Sequence, residues 1–348
     1  MRGSIVVRGC LGLCLVWVGC GPRSLPERSS PALVPTGASA VLDLYGGNVL
    51  DARRDGLFAR GGADGLAVFR GTATGAERLF EVPGGTGAAE ALASRADDDV
   101  VIAFTDGLVR WDGAAATEIT DRLVAALILG EPFDGLRVDA LDVAEDGAIV
   151  LVASVFGQGG AAPYGQICRL DRADPSGDAC SALPNEDAAT AVVTQGARTY
   201  AIVGERLYRG EGVGALTPVN EDRVTGLRSL EGGRVAFMRD RNAWELVVLG
   251  PDGAEERRVA STWIDAGHSA RGLWNLLVDH ETDGSCSSFS WSCREDVLWT
   301  QLIVSHVTDR AQEVAHLDNP AGEPRLLPLA DGSLRLEIGG DVYVIAAP

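Results

Sequence analysis

The hydrophobic and polar positions of this chain form a short unit that recurs along the sequence. In each copy an apolar run enters a tight turn, and a second run leaves the turn and ends in charge or glycine. Three copies are clean: DVVIAFTDGLVRWDG at 99–113, RTYAIVGERLYRGEG at 198–212 and GSLRLEIGGDVYVIAAP at 332–348. Short apolar runs bounded by Gly and Asp-Gly are typical of strands joined by hairpins. Looser copies of the unit lie at 56–71, 147–172, 233–253 and 272–309.

The spacing of the copies predicts the architecture. The second strands of the units are expected to begin at Gly65, Gly107, Gln166, Arg206, Trp244, Leu298 and Gly340. The mean repeat is about 44 residues, inside the range of about 40–50 that is typical of propeller blades. The runs at 100–104 and 149–155 are almost continuously apolar, as in strands that are covered on both faces. The sequence therefore predicts an all-β protein with a single β-propeller of seven blades, and the two longest spacings leave six or eight blades open.

The repeat resembles the broad β-propeller class in its strand–turn–strand arrangement and matches no particular subfamily. The resemblance concerns architecture and implies no functional residues. We expect the apolar segment 38–45 and the last strand, 341–346, to lie in one blade and close the ring, which removes an exposed edge. The segment TDRLVAALIL at 120–129 has a pattern that also allows a helix, and it is left unassigned.

The first residues predict export. Arg2 and Arg8 form a basic region before a short apolar run, 10–18, which leads into Val18-Gly19-Cys20 before the chain turns polar. The run is too short to span a bilayer as a helix. It resembles a bacterial lipoprotein signal, in which the cysteine is lipidated and becomes the mature N-terminus. The resemblance implies lipidation of Cys20, and Gly21 after it implies the outer membrane. The alternative is an ordinary secretory signal with an incidental cysteine.

Three segments follow from this interpretation. Residues 1–19 are a lipoprotein signal peptide, residues 20–37 are a lipidated N-terminus with a flexible Pro/Ser-rich tether, and residues 38–348 form the propeller.

Cysteine usage supports an oxidising compartment. Apart from the N-terminal cysteines, four remain: Cys168, Cys180, Cys286 and Cys293. An even number in an exported chain suggests disulfides, and three pairings are possible. The local pairing, Cys168–Cys180 and Cys286–Cys293, is favoured because each bridge closes a loop within one repeat. A zinc site of four thiolates is the alternative, but neither pair has the tight CxxC spacing.

Charge narrows the range of partners. The formal net charge is −19, which disfavours nucleic acid and anionic surfaces as partners. All 30 basic residues are arginine, so Schiff-base and phosphate-loop lysines are excluded.

Residues that carry chemistry are sparse, and we assign no catalytic residue, no cofactor and no metal ligand. The four histidines match no metal-binding spacing, and Asp171, Asp174 and Asp178 resemble a calcium loop only loosely. The loop CSSFSWSC at 286–293 carries Phe289 and Trp291. A loop this short has little room to bury both rings, so we predict a binding loop there. Packing between blades is the alternative.

The sequence thus predicts an exported, lipid-anchored propeller that acts as a binding or scaffolding module in the bacterial cell envelope. Its lipid anchor would hold it to the outer membrane, facing the periplasm or the cell surface. The expected partner is an envelope protein or a polysaccharide, and not a nucleic acid. The alternative is a propeller hydrolase or lyase with its active site in the central channel.

Overall fold

The computed structural model describes most of the chain between Leu25 and Pro348. The described ranges are 25–42, 48–50, 56–62, 65–82, 88–96, 98–104, 107–129, 133–158, 163–184, 189–230, 233–241, 244–260, 263–269, 272–282, 297–307, 311–322 and 324–348. Within them, no helix is both long enough and apolar enough to cross a bilayer.

The described chain is almost entirely β-structure, arranged as seven antiparallel sheets in chain order. The first three blades contain β1 (Asn48–Leu50), β2 (Leu57–Gly62), β3 (Gly65–Gly71), β4 (Ala76–Val82), β5 (Ala89–Ala96), β6 (Asp99–Phe104), β7 (Gly107–Trp111), β8 (Ala116–Glu118), β9 (Phe133–Val143), β10 (Ile149–Gly157), β11 (Tyr164–Leu170) and β12 (Ala179–Ala182). The other four contain β13 (Ala189–Gln195), β14 (Arg198–Val203), β15 (Arg206–Glu211), β16 (Thr217–Pro218), β17 (Arg223–Leu230), β18 (Arg234–Asp240), β19 (Trp244–Leu249), β20 (Glu255–Ala260), β21 (Trp263–Ser269), β22 (Gly272–Thr282), β23 (Val297–Val307), β24 (Ala311–Asp318), β25 (Pro324–Pro328), β26 (Leu334–Ile338) and β27 (Asp341–Ile345).

The sheets form a seven-bladed β-propeller, which confirms the predicted fold class and resolves the blade number. Each of the first six sheets has four strands in sequence order, and the seventh has three. The first strand of each blade contacts the first strand of the next, from β1 to β25, so these strands surround the central axis. The third strand of every blade begins within two residues of its predicted start. The longest spacing, between Gly107 and Gln166, accommodates a helix and the long strands β9 and β10.

Apolar side chains pack between neighbouring blades, because a blade strand is covered on both faces. Seven separate clusters of buried residues correspond to the seven interfaces of the ring. Across the second interface, for example, Val101 of β6 and Leu151 of β10 belong to one cluster. Within a strand, alternate residues belong to different clusters: Val247 packs with the fourth blade and Leu246 with the sixth. Because successive side chains of a strand point to opposite faces, each strand contributes to the apolar clusters on both sides of its blade.

The unassigned segment is a helix, α1 (Thr120–Ala126), which packs between the second and third blades. Leu123 and Leu127 are spaced by one helical turn, so they share the face that is buried in the cluster between these blades. The hydroxyl of Thr120 accepts a hydrogen bond from the Leu108 amide (2.9 Å), which fixes the start of the helix to β7.

The ring closes through side chains more than through a strand ladder. Residues 38–42 form no strand, and 43–45 lie outside the described residues, so the predicted strand at 38–45 is not observed. Instead Thr36 donates its amide to the Val342 carbonyl (2.8 Å), which is the one backbone hydrogen bond between the described part of this segment and β27. The Glu337 carboxylate accepts hydrogen bonds from the backbone amides of Val41 and Leu42. In a continuous sheet, such amides would donate to a neighbouring strand.

Arg335 completes this closure. Its side chain is fully buried and forms an ion pair with Glu337 (2.7 Å). The same guanidinium donates to the carbonyls of Thr72 and Ala73 in the first blade, and to that of Ser39 in the N-terminal segment. One side chain therefore links the seventh blade, the first blade and the incoming chain.

The Asp146-Gly147 turn is one residue longer than a two-residue hairpin turn. At Asp146-Gly147 the Ala144 amide bonds to the Ala148 carbonyl, which encloses three residues, and Gly147 has a positive φ of 81°. Asp146 accepts the Ala148 amide (3.0 Å) and so stabilises the turn. Two-residue turns with positive φ at both positions are instead made by Gly204-Glu205 and Gly339-Gly340.

Candidate functional site

Most of the predicted site residues lie outside the described part of the structure. Cys20, Cys286, Cys293, Phe289 and Trp291 are all in this group. Lipidation of Cys20, the Cys286–Cys293 bridge and the aromatic binding loop therefore stay predictions. The strands that flank the loop, β22 and β23, are the longest pair of the sixth blade.

Cys168 and Cys180 form a disulfide between β11 and β12, in agreement with the local pairing. The two residues are directly opposite in the strand register, and both are buried in the cluster between the second and third blades. Because the bridge closes a loop of 12 residues in the chain, it is expected to stabilise the fold by about 3 kcal/mol on loop-entropy grounds.

The carboxylates of the loop between these cysteines bind groups of the protein itself. The Asp171 carboxylate accepts the amides of Ala173 and Asp174, and the Asp174 carboxylate accepts the hydroxyl and the amide of Ser176. These hydrogen bonds to the charged form lower the pKa of both carboxyls. The Asp178 carboxylate pairs with Arg122 of α1 (2.7 Å). The carboxylates therefore stabilise turns and fix the helix, and the described residues contain no cluster suited to a metal ion.

The described histidines serve packing and local hydrogen bonds. His306 is buried against the Trp274 ring (4.7 Å between centroids), and burial lowers its pKa. The Nε2 of His306 and the Nε1 of Trp274 are buried, and neither atom has a hydrogen-bond partner among the residues that the structure describes. His316 lies on β24 with its Nδ1 3.0 Å from the Ser30 hydroxyl. His268 and His280 are on β21 and β22, in strands whose side chains there are not described.

Three polar side chains on β9 and β10, those of Ser154, Asp139 and Arg137, are of the types found in active sites. Their geometry does not activate the serine. The Ser154 hydroxyl donates to the Asp139 carboxylate (2.5 Å), which also pairs with Arg137 (2.6 Å). Asp139 occupies a β-bulge, where the register with β10 shifts. The serine proton is thus directed at a carboxylate that an arginine already neutralises. A nucleophilic serine needs a base that can take its proton, and this arrangement holds the proton in place.

Exposed apolar residues that follow α1 and contact the third blade indicate a docking surface. Ile128 and Leu129 follow α1 and are 56% and 39% exposed. Gln166 of β11 holds this segment in place, because its side-chain amide bonds to both the amide and the carbonyl of Ile128 (3.0 and 2.9 Å).

The neighbouring residues of the third blade extend this surface. Leu136, Val155 and Tyr164 are cross-strand partners in one row of the sheet. Tyr164 precedes Gln166 by two residues and so shares its face of β11. Leu136 and Tyr164 are only partly buried, and both pack on the cluster that contains Leu123 and Leu127. We call Ile128, Leu129, Leu136 and Tyr164 the blade 3 patch.

The blade 3 patch is suited to binding an apolar surface. Single exposed apolar residues are ordinary, but adjacent ones that are held in place beside further partly exposed apolar side chains are typical of interaction sites. The sequence analysis missed this surface and favoured the 286–293 loop. The available signal was the run LVAALIL at 123–129, which has more apolar residues than one buried helix face can accommodate.

Comparison with known proteins supports the fold. No protein-family model matches the chain, and no curated protein matches it. A chain of the mitotic checkpoint complex is 10% identical with a TM-score of 0.53, and the match covers 100% of this chain and 99% of that one. YCF48 bound to a D1 peptide is 12% identical with a TM-score of 0.49, over 92% of this chain and 100% of the other.

An enzyme is also among the similar structures. The gluconolactonase XC5397 from Xanthomonas campestris is 14% identical with a TM-score of 0.43, over 74% of this chain and 96% of its own. At such identities structural likeness reports architecture and not activity. The likeness to the mitotic checkpoint complex chain supports the fold of this chain, whose own sheets form the seven-bladed β-propeller.

Proposed function

We propose that this protein is an exported, lipid-anchored propeller that binds or scaffolds another protein of the bacterial cell envelope. The observation that carries the export part is the buried disulfide between Cys168 and Cys180. Disulfides of this kind persist in oxidising compartments and are rare where thiols are kept reduced. The lipoprotein-like signal that ends at Cys20 gives the same compartment independently and adds the anchor.

The binding part rests on the blade 3 patch. Its exposed residues are aliphatic, and its fixed backbone lowers the conformational entropy that binding must overcome. An aliphatic patch fits the apolar core of a protein interface better than a polysaccharide, which offers mainly hydroxyl groups. We therefore take an envelope protein as the partner.

The anchor is tested by Cys20→Ser, with Cys14→Ser as the matched control because Cys14 lies within the predicted signal peptide. Membrane and soluble fractions of the envelope are compared, and the mass of the mature protein is measured. We expect Cys20→Ser to move the protein to the soluble fraction and Cys14→Ser to leave it bound. Retention of the Cys20→Ser protein in the membrane with an unchanged mass would contradict lipidation.

The partner is tested by photo-cross-linking in intact cells. A benzophenone amino acid replaces Leu129, or as a control Val219, an exposed apolar residue after the fourth blade. We expect a discrete protein adduct at position 129 that disappears when Ile128→Asp is added, and no such adduct at position 219. The same adducts at both positions, or none at 129, would show that the blade 3 patch is not the docking surface.

A further inference from the structure

The N-terminal segment 25–36, which we call the strap, pairs with the outer edge of the sixth blade. The Leu33 amide donates to the His316 carbonyl (2.8 Å), and the His316 amide donates to the Pro31 carbonyl (3.1 Å). These bonds form a parallel bridge between Ala32 and His316 of β24. Residues 25–36 of the segment that the sequence assigned to a tether thus contact the propeller, and an isolated bridge joins them to the edge of the sheet.

Side chains strengthen this pairing. Arg28 donates from Nε to the Gln301 side-chain oxygen (2.6 Å) and forms an ion pair with Glu313 (3.4 Å). The Ser30 hydroxyl is 2.6 Å from a Glu313 carboxylate oxygen and 3.0 Å from His316 Nδ1. Since the hydroxyl has one proton, it donates to the carboxylate and accepts from the ring nitrogen. Partners from two strands, β23 and β24, therefore hold the strap.

The strap then continues to the seventh blade. Leu33 packs on the apolar cluster between the sixth and seventh blades, and Thr36 bonds to Val342 on β27. Val34, between these contacts, faces solvent with 76% of its surface exposed, the largest value among the exposed large apolar residues described.

We infer that the strap places the outer edge of the sixth and seventh blades against the lipid bilayer. The inference rests on the proposed lipidation of Cys20. Five residue steps separate Cys20 from Leu25, and a chain of that length spans at most about 18 Å whatever its conformation. A free tether over 20–37 would reach about 60 Å when extended. Because the strap is docked, the anchor holds the outer edge of the sixth and seventh blades near the membrane. The propeller is then attached to the bilayer through this edge.

Charge supports this orientation. The chain has a formal net charge of −19, and an anionic lipid surface repels it. Residues 29–42 (SSPALVPTGASAVL) contain no charged side chain at all. The strap from Ser29 onward is thus uncharged, with Val34 exposed, on a protein that is acidic as a whole. An uncharged segment can approach anionic lipid headgroups with less repulsion than a segment that carries carboxylates.

The experiment uses the full lipidated protein in vesicles of phosphatidylethanolamine and phosphatidylglycerol. A benzophenone amino acid replaces Val34, or as matched controls Thr117 of β8 and Thr217 of β16, which are exposed on outer strands of the second and fourth blades. Lipid adducts after irradiation are quantified by mass spectrometry, and the mass of the unirradiated protein reports lipidation separately. A release variant, Arg28→Ala/Ser30→Ala, carries the label at position 34 with its fold checked by circular dichroism.

We expect lipidated protein with a several-fold excess of lipid adducts at position 34 over both controls, and loss of that excess in the release variant. Lipidated protein with equal adducts at all three positions would overturn the orientation and leave the proposed anchor intact. Lipid adducts at Thr117 or Thr217 with none at position 34 would also overturn the orientation and leave the proposed anchor intact. Protein that is not lipidated would contradict both the anchor and the orientation.

Discussion

The Arg335–Glu337 pair provides the sharpest test of how the ring is held closed. We consider Arg335→Met, which keeps much of the side-chain volume and removes the charge and all donors. Arg335 is fully buried, and Glu337 is 2% exposed. Breaking a buried ion pair by removing one partner typically costs about 3–5 kcal/mol, because it leaves an uncompensated charge. We use the lower end of this range, because the Glu337 carboxylate still accepts hydrogen bonds from the amides of Val41 and Leu42 in the variant.

Three backbone carbonyls also lose their donor, those of Ser39, Thr72 and Ala73. Loss of a hydrogen bond contributes about 1 kcal/mol when water can replace it only in part. With about 3 kcal/mol for the ion pair and about 1 kcal/mol for each of the three carbonyls, we expect a total destabilisation of about 6 kcal/mol. This is large against the stability of about 5–15 kcal/mol of typical domains. The apolar cluster at this interface is small, with Leu42, Phe58, Leu327 and Leu329 as its buried members among the described residues, so it offers little compensation.

The assay is guanidinium unfolding followed by circular dichroism, with hydrogen exchange of the 36–42 peptide as a local readout. The control is Arg223→Met, because Arg223 and Glu205 form an ion pair that is largely exposed on both sides. Exposed pairs contribute little, so this variant should unfold with the wild type. We expect Arg335→Met to lower the midpoint strongly and to accelerate exchange in 36–42 before global unfolding. Equal effects of the two substitutions would refute the role of Arg335 in closing the ring.

Three further predictions follow from the described contacts. Replacing both Cys168 and Cys180 by Ala should lower the free energy of unfolding by about 3 kcal/mol, whereas an unchanged value would show that the bridge adds nothing to the fold. Gly71→Ala should destabilise by about 1–3 kcal/mol because its Cβ would lie 2.2 Å from Leu327, while Gly75→Ala, whose Cβ meets nothing within 4 Å, should not; thermal melts compare the two. The folded-state pKa of His306 is lowered by burial, so its stabilising effect is complete above the unfolded pKa of about 6.5 and decreases as the pH falls below that value. His306→Gln should flatten the dependence of unfolding free energy on pH between about 7 and 5, and an unchanged slope would contradict this.

Much of the fold could be predicted from local pattern. The strand starts at Gly65, Gly107, Arg206 and Trp244 were predicted to the residue, because apolar runs and turn residues are local properties of the sequence. The helix at Thr120–Ala126 was not assigned, since its run of apolar residues suits a buried strand as well as a helix. Packing of Leu123 between two blades decides in favour of the helix.

The candidate sites were less predictable. The Cys168–Cys180 pairing followed from proximity along the chain, and its strands place the two residues in register. The blade 3 patch was missed because Leu136 and Tyr164 become neighbours only through the cross-strand row with Val155. The aspartates of 171–178 looked like candidate ligands, and only the folded loop shows that backbone amides and Arg122 occupy their oxygens.

By itself the sequence determined the repeating strand–turn–strand unit, a blade number of seven with six or eight as alternatives, and the pairing of Cys168 with Cys180. It also supplied the argument for export. These follow from periodicity, turn chemistry and composition, which act over a few residues. Tertiary structure alone decided how the ring is closed and where the N-terminal segment lies. Arg335 meets Thr72 across 263 positions of sequence, and Arg28 meets Gln301 across 273. Such contacts depend on the closure of the whole ring, so no local pattern of residues encodes them.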